Sequence, residues 1–270
     1  MGQRRHGQKL ALIADDERKS SLAKHQNRLP QPGSIIASSF TSPIDCLYLA
    51  AIFDPVFAAS YPSTRLVQRI SLSHAIIRAL LPPQTSPPPN ARLVSLSTLI
   101  RENPDSAIVV LPECTTSNGR GILQFSPSLL SAPPNAKIFS VNLRYSPADI
   151  TTPVPGAYLT FLWDLCSKPT HCIRVRIAEA IYNTAATAEV KEKAKAGDSY
   201  VSYDISLRES PSSETLVGES DAEGLTVDER RVLDRVAEDL ARLGRVKRVG
   251  LGVKEKADFV KAWSKTRRIY

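Results

Sequence analysis

The sequence of 270 residues lacks the long apolar runs that a membrane-spanning helix needs. Its most apolar stretch, residues 46–59, is interrupted by Asp54 and Pro55 and is too short to cross a bilayer. The apolar run of residues 10–14 near the basic N-terminus is too short for the core of a signal peptide. The sequence therefore predicts neither a transmembrane helix nor a secretory signal.

Cysteine is scarce, and its spacing fits no known framework. The four cysteines are scattered along the chain, at Cys46, Cys114, Cys166 and Cys172. Cys166 and Cys172 lie near His171, but they do not have the two-residue separation that is typical of zinc sites. We therefore expect four reduced thiols in a cytosolic environment, and no metal site.

Aromatic residues make up 6% of the chain, and no nucleic-acid-binding motif is present, which argues against a nucleic acid partner. The net charge of +8 is concentrated at the two ends. Residues 1–30 carry seven Lys or Arg against three acids, and residues 242–270 carry ten against two. Basic ends favour anionic lipid headgroups, although the same charge can serve solubility alone.

The most informative stretch begins with the β-branched and apolar residues 107–111, which predict a buried strand. Pro112 ends the strand, because proline has no N–H to donate to a sheet. The polar residues that follow include Glu113 and Arg120. Ligands of open α/β sheets bind at the carboxyl ends of strands, and an Arg beside hydroxyls and free amides suits a phosphate.

Residues 111–120 read Leu-Pro-Glu-Cys-Thr-Thr-Ser-Asn-Gly-Arg, which resembles the Pro-Glu-Gly-Thr block of the glycerolipid acyltransferases. The Thr-Thr-Ser-Asn-Gly part is similar to the lysophosphatidylcholine acyltransferase branch, and a fungal lysophosphatidic acid acyltransferase group is the relative that we suspect. One departure is Cys114, which stands where the family has Gly. The resemblance implies that these residues bind substrate: Glu113, Thr115, Thr116, Ser117, Asn118, Gly119 and Arg120.

A second block resembles the catalytic His-x-x-x-x-Asp motif of the same family. Residues 41–50 read Thr-Ser-Pro-Ile-Asp-Cys-Leu-Tyr-Leu-Ala, and Asp45 aligns with the motif Asp. The resemblance implies that this Asp orients a His that takes the proton from the lysophospholipid hydroxyl. Phe40 occupies the His position here, and a phenyl ring cannot accept a proton. Neither His74 nor His171 is an obvious replacement, although positioning an activated thioester can itself give rate.

The chain divides into four predicted parts: a basic N-terminal segment (1–32), an acyltransferase-like α/β domain (33–196), an acidic flexible linker (197–225) and a basic helical C-terminal appendage (226–270). The resemblance predicts a mostly parallel central sheet flanked by helices. Residues 66–81 have helical spacing, and Thr226 with Glu229 forms a capping box that starts another helix. The helix predicted at residues 158–166 either packs in the core, which we favour, or rests on a membrane.

The resemblance implies acyl transfer from acyl-CoA to the free hydroxyl of a lysophospholipid such as lysophosphatidic acid, without a cofactor. Arg78, Arg92 and Arg144 are further candidates for a phosphate contact. The partners would be acyl-CoA, a lysophospholipid and a membrane surface, at the cytosolic face of the endoplasmic reticulum or of lipid droplets. Because Phe40 replaces the motif His, the alternative is an impaired relative that only binds lipid or acyl-CoA.

Overall fold

The computed structural model describes residues 28–156, 158–186 and 224–267. The predicted acidic linker therefore lies largely outside the described residues, as does most of the predicted N-terminal segment. The strands are β1 (Ile35–Ser38), β2 (Val56–Tyr61), β3 (Thr64–Ile70), β4 (Leu93–Val94), β5 (Ile108–Val110), β6 (Gly121–Ile122), β7 (Lys137–Ser146), β8 (Cys172–Ile177), β9 (Ile181–Tyr182) and β10 (Lys247–Arg248). The helices are α1 (Pro43–Phe53), α2 (Leu72–Arg78), α3 (Leu96–Glu102), α4 (Tyr158–Ser167), α5 (Val227–Gly244) and α6 (Val253–Arg267), with 3-10 turns at Pro127–Ser131 and Ala148–Ile150.

The fold is α/β, as the sequence predicts. The main sheet has the order β4-β3-β2-β5-β1-β7-β8, and β9 pairs with the beginning of β7. Its four central strands, β2, β5, β1 and β7, run parallel, and antiparallel strands complete both edges. Parallel strands that are covered on both faces are continuous apolar runs, which is why residues 108–110 contain no polar side chain.

Helices cover both faces of the sheet. On one face α3, the Pro127–Ser131 turn and α5 bury an apolar cluster that includes Ile35, Leu99, Leu129 and Val236. On the other face α1 and α2 pack over a cluster that includes Ile36, Leu49 and Ala75. The successive residues Ile35 and Ile36 therefore point into opposite layers, as the two-residue period of a strand requires.

The prediction of one helix over residues 66–81 was wrong in its first half. Residues 64–70 form β3, which pairs with β2 in a hairpin, and the helix begins only after Ser71. The hydroxyl of Ser71 accepts a hydrogen bond from the His74 N–H and so caps that helix. Val67 and Ile70 have helical spacing, but pairing with β2 outweighs it and places both residues in a strand. Their side chains are buried in this strand conformation as well.

The C-terminal helices follow the predicted pattern. Thr226 and Glu229 form the predicted capping box, α5 ends at Gly244, and its apolar stripe packs on the main sheet. Residues 247–248 then form a short parallel ladder with β6, and the Gln124 N–H donates to the Leu251 carbonyl at 2.9 Å. The C-terminal segment is thereby attached beside the loop that follows β5. Among the described residues no helix has both the length and the apolar character needed to cross a bilayer.

Candidate functional site

Glu113 lies at the carboxyl end of β5 and is fully buried. Its Oε1 accepts a hydrogen bond from the Phe40 N–H at 3.4 Å, and its Oε2 accepts one from the Leu123 N–H at 3.1 Å. The carboxylate thus joins the segment after β1 to the segment after β6. Burial raises the pKa of Glu113 to about 8, because desolvation of the charge outweighs the two hydrogen bonds.

Asp45 lies in the first turn of α1 and is also fully buried. Its Oδ2 accepts hydrogen bonds from the Thr41 N–H at 2.6 Å and the Ser42 N–H at 2.9 Å, and its Oδ1 accepts one from the Tyr145 hydroxyl. Asp45 and Ser42 therefore form a capping box at the start of α1. Burial raises the pKa of Asp45 to about 6, although four hydrogen bonds oppose the shift.

The two carboxylates hold one short piece of backbone. Glu113 accepts from the amide of Phe40, and Asp45 accepts from the amides of Thr41 and Ser42. Three successive N–H groups are therefore bound by carboxylates that come from different parts of the chain. The structure brings Asp45 and Glu113 close together at the carboxyl ends of the adjacent strands β1 and β5, where they bind successive amides of one loop.

Phe40 points into the core. Its side chain is 1% exposed and packs with the apolar cluster beneath α1 and α2. It lines a small hollow of about 10 Å³ together with Ser60, Arg78 and Cys114. The Nη2 of Arg78 donates to the Ser60 carbonyl at 3.3 Å, while its Nη1 is buried without a hydrogen-bond partner among the described residues. A His in place of Phe40 would therefore enter an apolar layer that contains one cation.

Cys114 has a backbone conformation that explains the glycine of the family block. Its φ is 59°, in the left-handed region that L-residues with a Cβ adopt at a cost. The buried thiol donates to the Ser60 Oγ at 3.4 Å, and burial raises its pKa. A Gly would adopt this backbone conformation without that cost, whereas Cys114 adds a buried side chain that lines the same hollow as Phe40.

A polar cleft of about 200 Å³ opens on the other side of Glu113, at the carboxyl ends of β1 and β5 and along β7. It brings together five of the predicted substrate-binding residues: Glu113, Ser117, Asn118, Gly119 and Arg120. Ser39, Thr41 and Arg144 also line it, whereas Asp45, Thr115 and Thr116 do not. The cleft therefore combines one buried carboxylate, several hydroxyls and two arginines.

The rim of the cleft is a tight turn formed by residues 117–120. The Ser117 Oγ accepts from the Gly119 N–H at 3.3 Å, and the Asn118 Oδ1 accepts from the Arg120 N–H at 3.0 Å. Gly119 has a φ of 66°, and a Cβ at this position would lie 3.5 Å from the Thr41 methyl group. Ser117 and Asn118 therefore shape the turn, which leaves the exposed Arg120 as its cation.

Arg144, on β7, lines the same cleft as that turn. Its Nη1 donates to the Gly244 carbonyl at 3.3 Å, and Arg176 on β8 donates to the neighbouring Leu243 carbonyl at 2.5 Å. Two arginines thus cap the C-terminal end of α5, where the helix dipole favours cations. The side chain of Arg144 is nevertheless exposed and lines the cleft. A bound phosphate between Arg120 and Arg144 would meet positive charge on both sides.

Thr115 and Thr116 are buried beneath α6, and a lysine that the sequence analysis missed holds them there. The ammonium group of Lys256 donates to the Thr115 Oγ1 at 2.9 Å, to the Thr116 Oγ1 at 3.1 Å and to the Thr116 carbonyl. Burial lowers the pKa of Lys256 to about 8, although the charge of Glu113 opposes the shift. The sequence does contain a signal for this contact, because Lys256 lies between Val253 and Val260 on the apolar stripe of a basic helix, where a lysine is expected to be partly buried.

Neither histidine of the described residues lines the cleft. His74 is exposed on α2, and the Nε2 of His171 lies 3.0 Å from the Leu165 carbonyl. The other two histidines, His6 and His25, lie outside the described residues. In the described part of the chain no three His, Cys, Asp or Glu side chains are grouped to bind a metal.

Comparison with known proteins shows a likeness to a curated protein. The chain is 29% identical over 152 residues to a protein of Schizosaccharomyces pombe (strain 972 / ATCC 24843) named "Putative lysophosphatidic acid:oleoyl-CoA acyltransferase". The match covers 55% of this chain and 49% of that protein, so the chain spans about half the length of the relative. No protein-family model matches the chain. The printed name of that relative agrees with the family that the two sequence blocks resemble, and the α/β fold is consistent with it.

Proposed function

We propose that this protein transfers an acyl group from acyl-CoA to the free hydroxyl of a lysophospholipid such as lysophosphatidic acid. The observation that carries the proposal is the cleft at the carboxyl ends of β1 and β5, where Glu113 lies beneath a turn that bears Arg120. The likeness to a protein named as a lysophosphatidic acid:oleoyl-CoA acyltransferase supports the same substrates. The work would belong to glycerophospholipid synthesis or remodelling, with acyl-CoA as a co-substrate and no further cofactor.

In this proposal the arginines bind phosphate. Arg120 and Arg144 line the same cleft as Glu113, together with the hydroxyl-bearing residues Ser39, Thr41 and Ser117. A phosphate that bridges the two guanidinium groups would place the glycerol hydroxyl deeper in the cleft, towards Glu113. Charge-assisted hydrogen bonds of this kind are short and directional, so they orient the acceptor as well as binding it.

Glu113 is the proton acceptor that we assign. No histidine is among the described residues that line the cleft, and Asp45 does not line it, whereas Glu113 does. The attacking hydroxyl would pass its proton to the Glu113 carboxylate as its oxygen bonds to the thioester carbonyl carbon. The C–S bond would then break, and the departing CoA thiolate would take that proton from Glu113. A pKa of about 8 is close to working pH, which suits a general base.

The test is the reaction of purified protein with oleoyl-CoA and lysophosphatidic acid, followed by thiol release and by the appearance of phosphatidic acid. Phosphatidic acid separates transfer from hydrolysis of the thioester. We expect Glu113→Gln to lose the activity, while the control Glu102→Gln, an exposed glutamate on α3, keeps it. An inactive parent would overturn the proposal. A gain in Phe40→His would then favour the alternative, a binding protein with an impaired site.

The pH dependence tests the role of Glu113 separately. A base acts in its deprotonated form, so kcat/KM should rise with pH and level off above the pKa of about 8. The rate at pH 7 should be about one tenth of the plateau rate, since a carboxyl group is about 10% ionised when the pH is one unit below its pKa. A flat profile between pH 6 and pH 9 in an active parent would exclude Glu113 as the base.

The location follows from the substrates and remains part of the proposal. Lysophosphatidic acid with a long acyl chain partitions into membranes, whereas acyl-CoA arrives from the aqueous side. We place the protein at the cytosolic face of the endoplasmic reticulum or of lipid droplets. Fractionation of cells that express a tagged chain would test this placement, with recovery of the chain in the supernatant alone as the contrary result.

A further inference from the structure

Helix α4 presents an apolar face to solvent. Trp163 is 75% exposed and Leu159 is 71% exposed, and about half of Tyr158 and of Leu162 is exposed as well. Their positions, i, i+1, i+4 and i+5, form a single stripe along the helix. The opposite side of α4 carries Phe161, which is buried. The expectation that this helix packs mainly in the core is therefore wrong, since most of its large side chains point outward.

An exposed face of this composition is unusual on a monomeric soluble domain, where large contiguous apolar patches mark binding surfaces. Tyr and Trp combine an apolar ring with a polar group, so both are enriched where a membrane meets water. Leu159 and Leu162 add aliphatic surface between the aromatic rings. The stripe on α4 therefore has the composition of an interfacial helix.

Helix α6 carries a second, smaller set of exposed aromatic residues. Phe259 and Trp263 are about half exposed and stack with their ring centroids 6.0 Å apart. The exposed lysines of α6 are Lys254, Lys261 and Lys265. Aromatic rings flanked by lysines suit an interface that offers apolar chains below anionic headgroups.

Both helices are attached to the same loop of the candidate site. The Thr116 hydroxyl donates to the Thr152 carbonyl at 2.7 Å, in the segment that leads to α4, and Lys256 of α6 donates to the same hydroxyl at 3.1 Å. The buried side of α4 also packs on the Ala148–Ile150 turn, through contact of Phe161 with Ile150. Ala148 and Thr151 line the cleft, so α4 packs on a turn that forms part of the cleft wall.

We propose that the exposed stripe of α4, together with the Phe259–Trp263 pair of α6, docks the protein on an anionic phospholipid bilayer. Charge complementarity favours a bilayer over a second copy of the chain, because residues 242–270 hold ten Lys or Arg against two acids. Two copies that met through α6 would bring these basic segments together. Docking through α4 sets the cleft beside the lipid surface, which deepens the proposed function by naming the phase from which substrate enters.

The two tryptophans of the chain give each helix its own probe, because Trp163 lies on α4 and Trp263 on α6. The variant Trp263→Phe leaves the α4 probe, and Trp163→Phe leaves the α6 probe. Each variant is mixed with vesicles of phosphatidylcholine, with or without phosphatidylserine, and with matched vesicles that carry brominated acyl chains. We expect a blue shift of emission and quenching by the brominated chains for both probes, stronger with phosphatidylserine.

A matched pair of variants tests the face itself. We expect the double variant Leu159→Ser and Leu162→Ser to bind vesicles at least about tenfold more weakly, since a tenfold change needs only 1.4 kcal/mol and each buried Leu exceeds that. The control is Ile77→Ser, which removes a similarly exposed aliphatic side chain from α2 and should leave vesicle binding unchanged. Circular dichroism of each variant checks that the fold is kept.

Three results would overturn the proposal: no shift of Trp163 emission with anionic vesicles, equal weakening by Ile77→Ser, or a concentration-dependent dimer that buries Trp163 without lipid. The vesicles contain neither acyl-CoA nor lysophosphatidic acid, so binding is scored independently of catalysis. A protein that is active but does not bind vesicles would contradict the docking proposal and leave the proposed function intact. A protein that binds vesicles but never forms phosphatidic acid would contradict the proposed function and leave the docking proposal intact.

Discussion

The two loops that resemble the acyltransferase blocks differ in how their polar groups are used. In the loop between β1 and α1, residues 39–42, the backbone amides of residues 40–42 are bound by carboxylates and the Phe40 ring is buried. In the loop between β5 and β6, residues 111–120, the turn at residues 117–120 lines an open cleft and Arg120 is exposed. The first loop is closed, because its amides and the Phe40 ring face the protein interior and only Ser39 and Thr41 reach the cleft. The second loop offers most of its turn to a ligand.

This difference shows that a motif residue can persist for two separate reasons. Asp45 has a complete structural role, because it caps α1 and holds the loop that Phe40 begins. Its presence therefore needs no catalytic histidine. Glu113 also binds backbone amides, but it borders the cleft and has a pKa near 8, so it is available for chemistry as well as for structure.

Replacement of Asp45 by Ala should have the largest effect on stability. The change removes the acceptor for the Thr41 and Ser42 amides and for the Tyr145 hydroxyl, all of which are buried. Buried donors without partners cost about 1–3 kcal/mol each, so we expect a loss of about 3–5 kcal/mol in the free energy of unfolding. Urea unfolding measures it. Asp105→Ala, in an exposed turn, is the control, and equal effects of the two would contradict a closed first loop.

Replacement of Phe40 by His tests whether the first loop can still act as a catalytic one. The ring lies among apolar side chains and beside Arg78, whose charge disfavours an imidazolium. We expect a loss of about 2–3 kcal/mol in the free energy of unfolding, from reduced apolar burial and an added polar group. We expect no rise in acyl transfer, because the side chain points away from the cleft. If a folded Phe40→His protein released more thiol than the parent, the first loop could still act in catalysis, and the contrast between the two loops would be wrong.

Replacement of Lys256 by Met tests whether α6 holds the second loop in place. Met keeps the apolar stem but removes three hydrogen bonds to Thr115 and Thr116. We expect a loss of about 1–2 kcal/mol in the free energy of unfolding and faster hydrogen exchange at the amides of residues 115–117. Lys254→Met, with an exposed lysine on the same helix, should change neither. Unchanged exchange in Lys256→Met would mean that α6 does not hold this loop.

The sequence predicted the parts of the fold that depend on local pattern. The apolar residues 108–110 and the capping box at Thr226 gave β5 and the start of α5 correctly. The hairpin of β2 and β3 was missed, because its pairing depends on contacts between residues that the helical spacing does not reveal. For α4 the spacing showed an amphipathic helix, but no pattern within the chain could show whether its apolar stripe meets protein or solvent.

The candidate site was predictable to a similar degree. The motif brought Glu113 and residues 117–120 to one cleft, as expected from the carboxyl end of a parallel strand. It did not show that Thr115 and Thr116 are buried under a lysine more than a hundred residues away in sequence, because that contact depends on the packing of α6. The direction of the Phe40 ring likewise follows from the tertiary packing beneath α1 and α2.

The smallest predicted effect concerns Cys114, where the two loops meet. Its φ of 59° favours glycine, but its side chain fills space beside Phe40 and Ser60. The variants Cys114→Gly and Cys114→Ala both remove the thiol, and only Gly also relieves the left-handed backbone. We therefore expect the Gly variant to be more stable than the Ala variant by about 1 kcal/mol, the reverse of their order in a helix. Thermal and urea unfolding of the pair measure the difference. If Ala were the more stable variant, the turn would have another conformation, and the family glycine would need an explanation other than backbone strain.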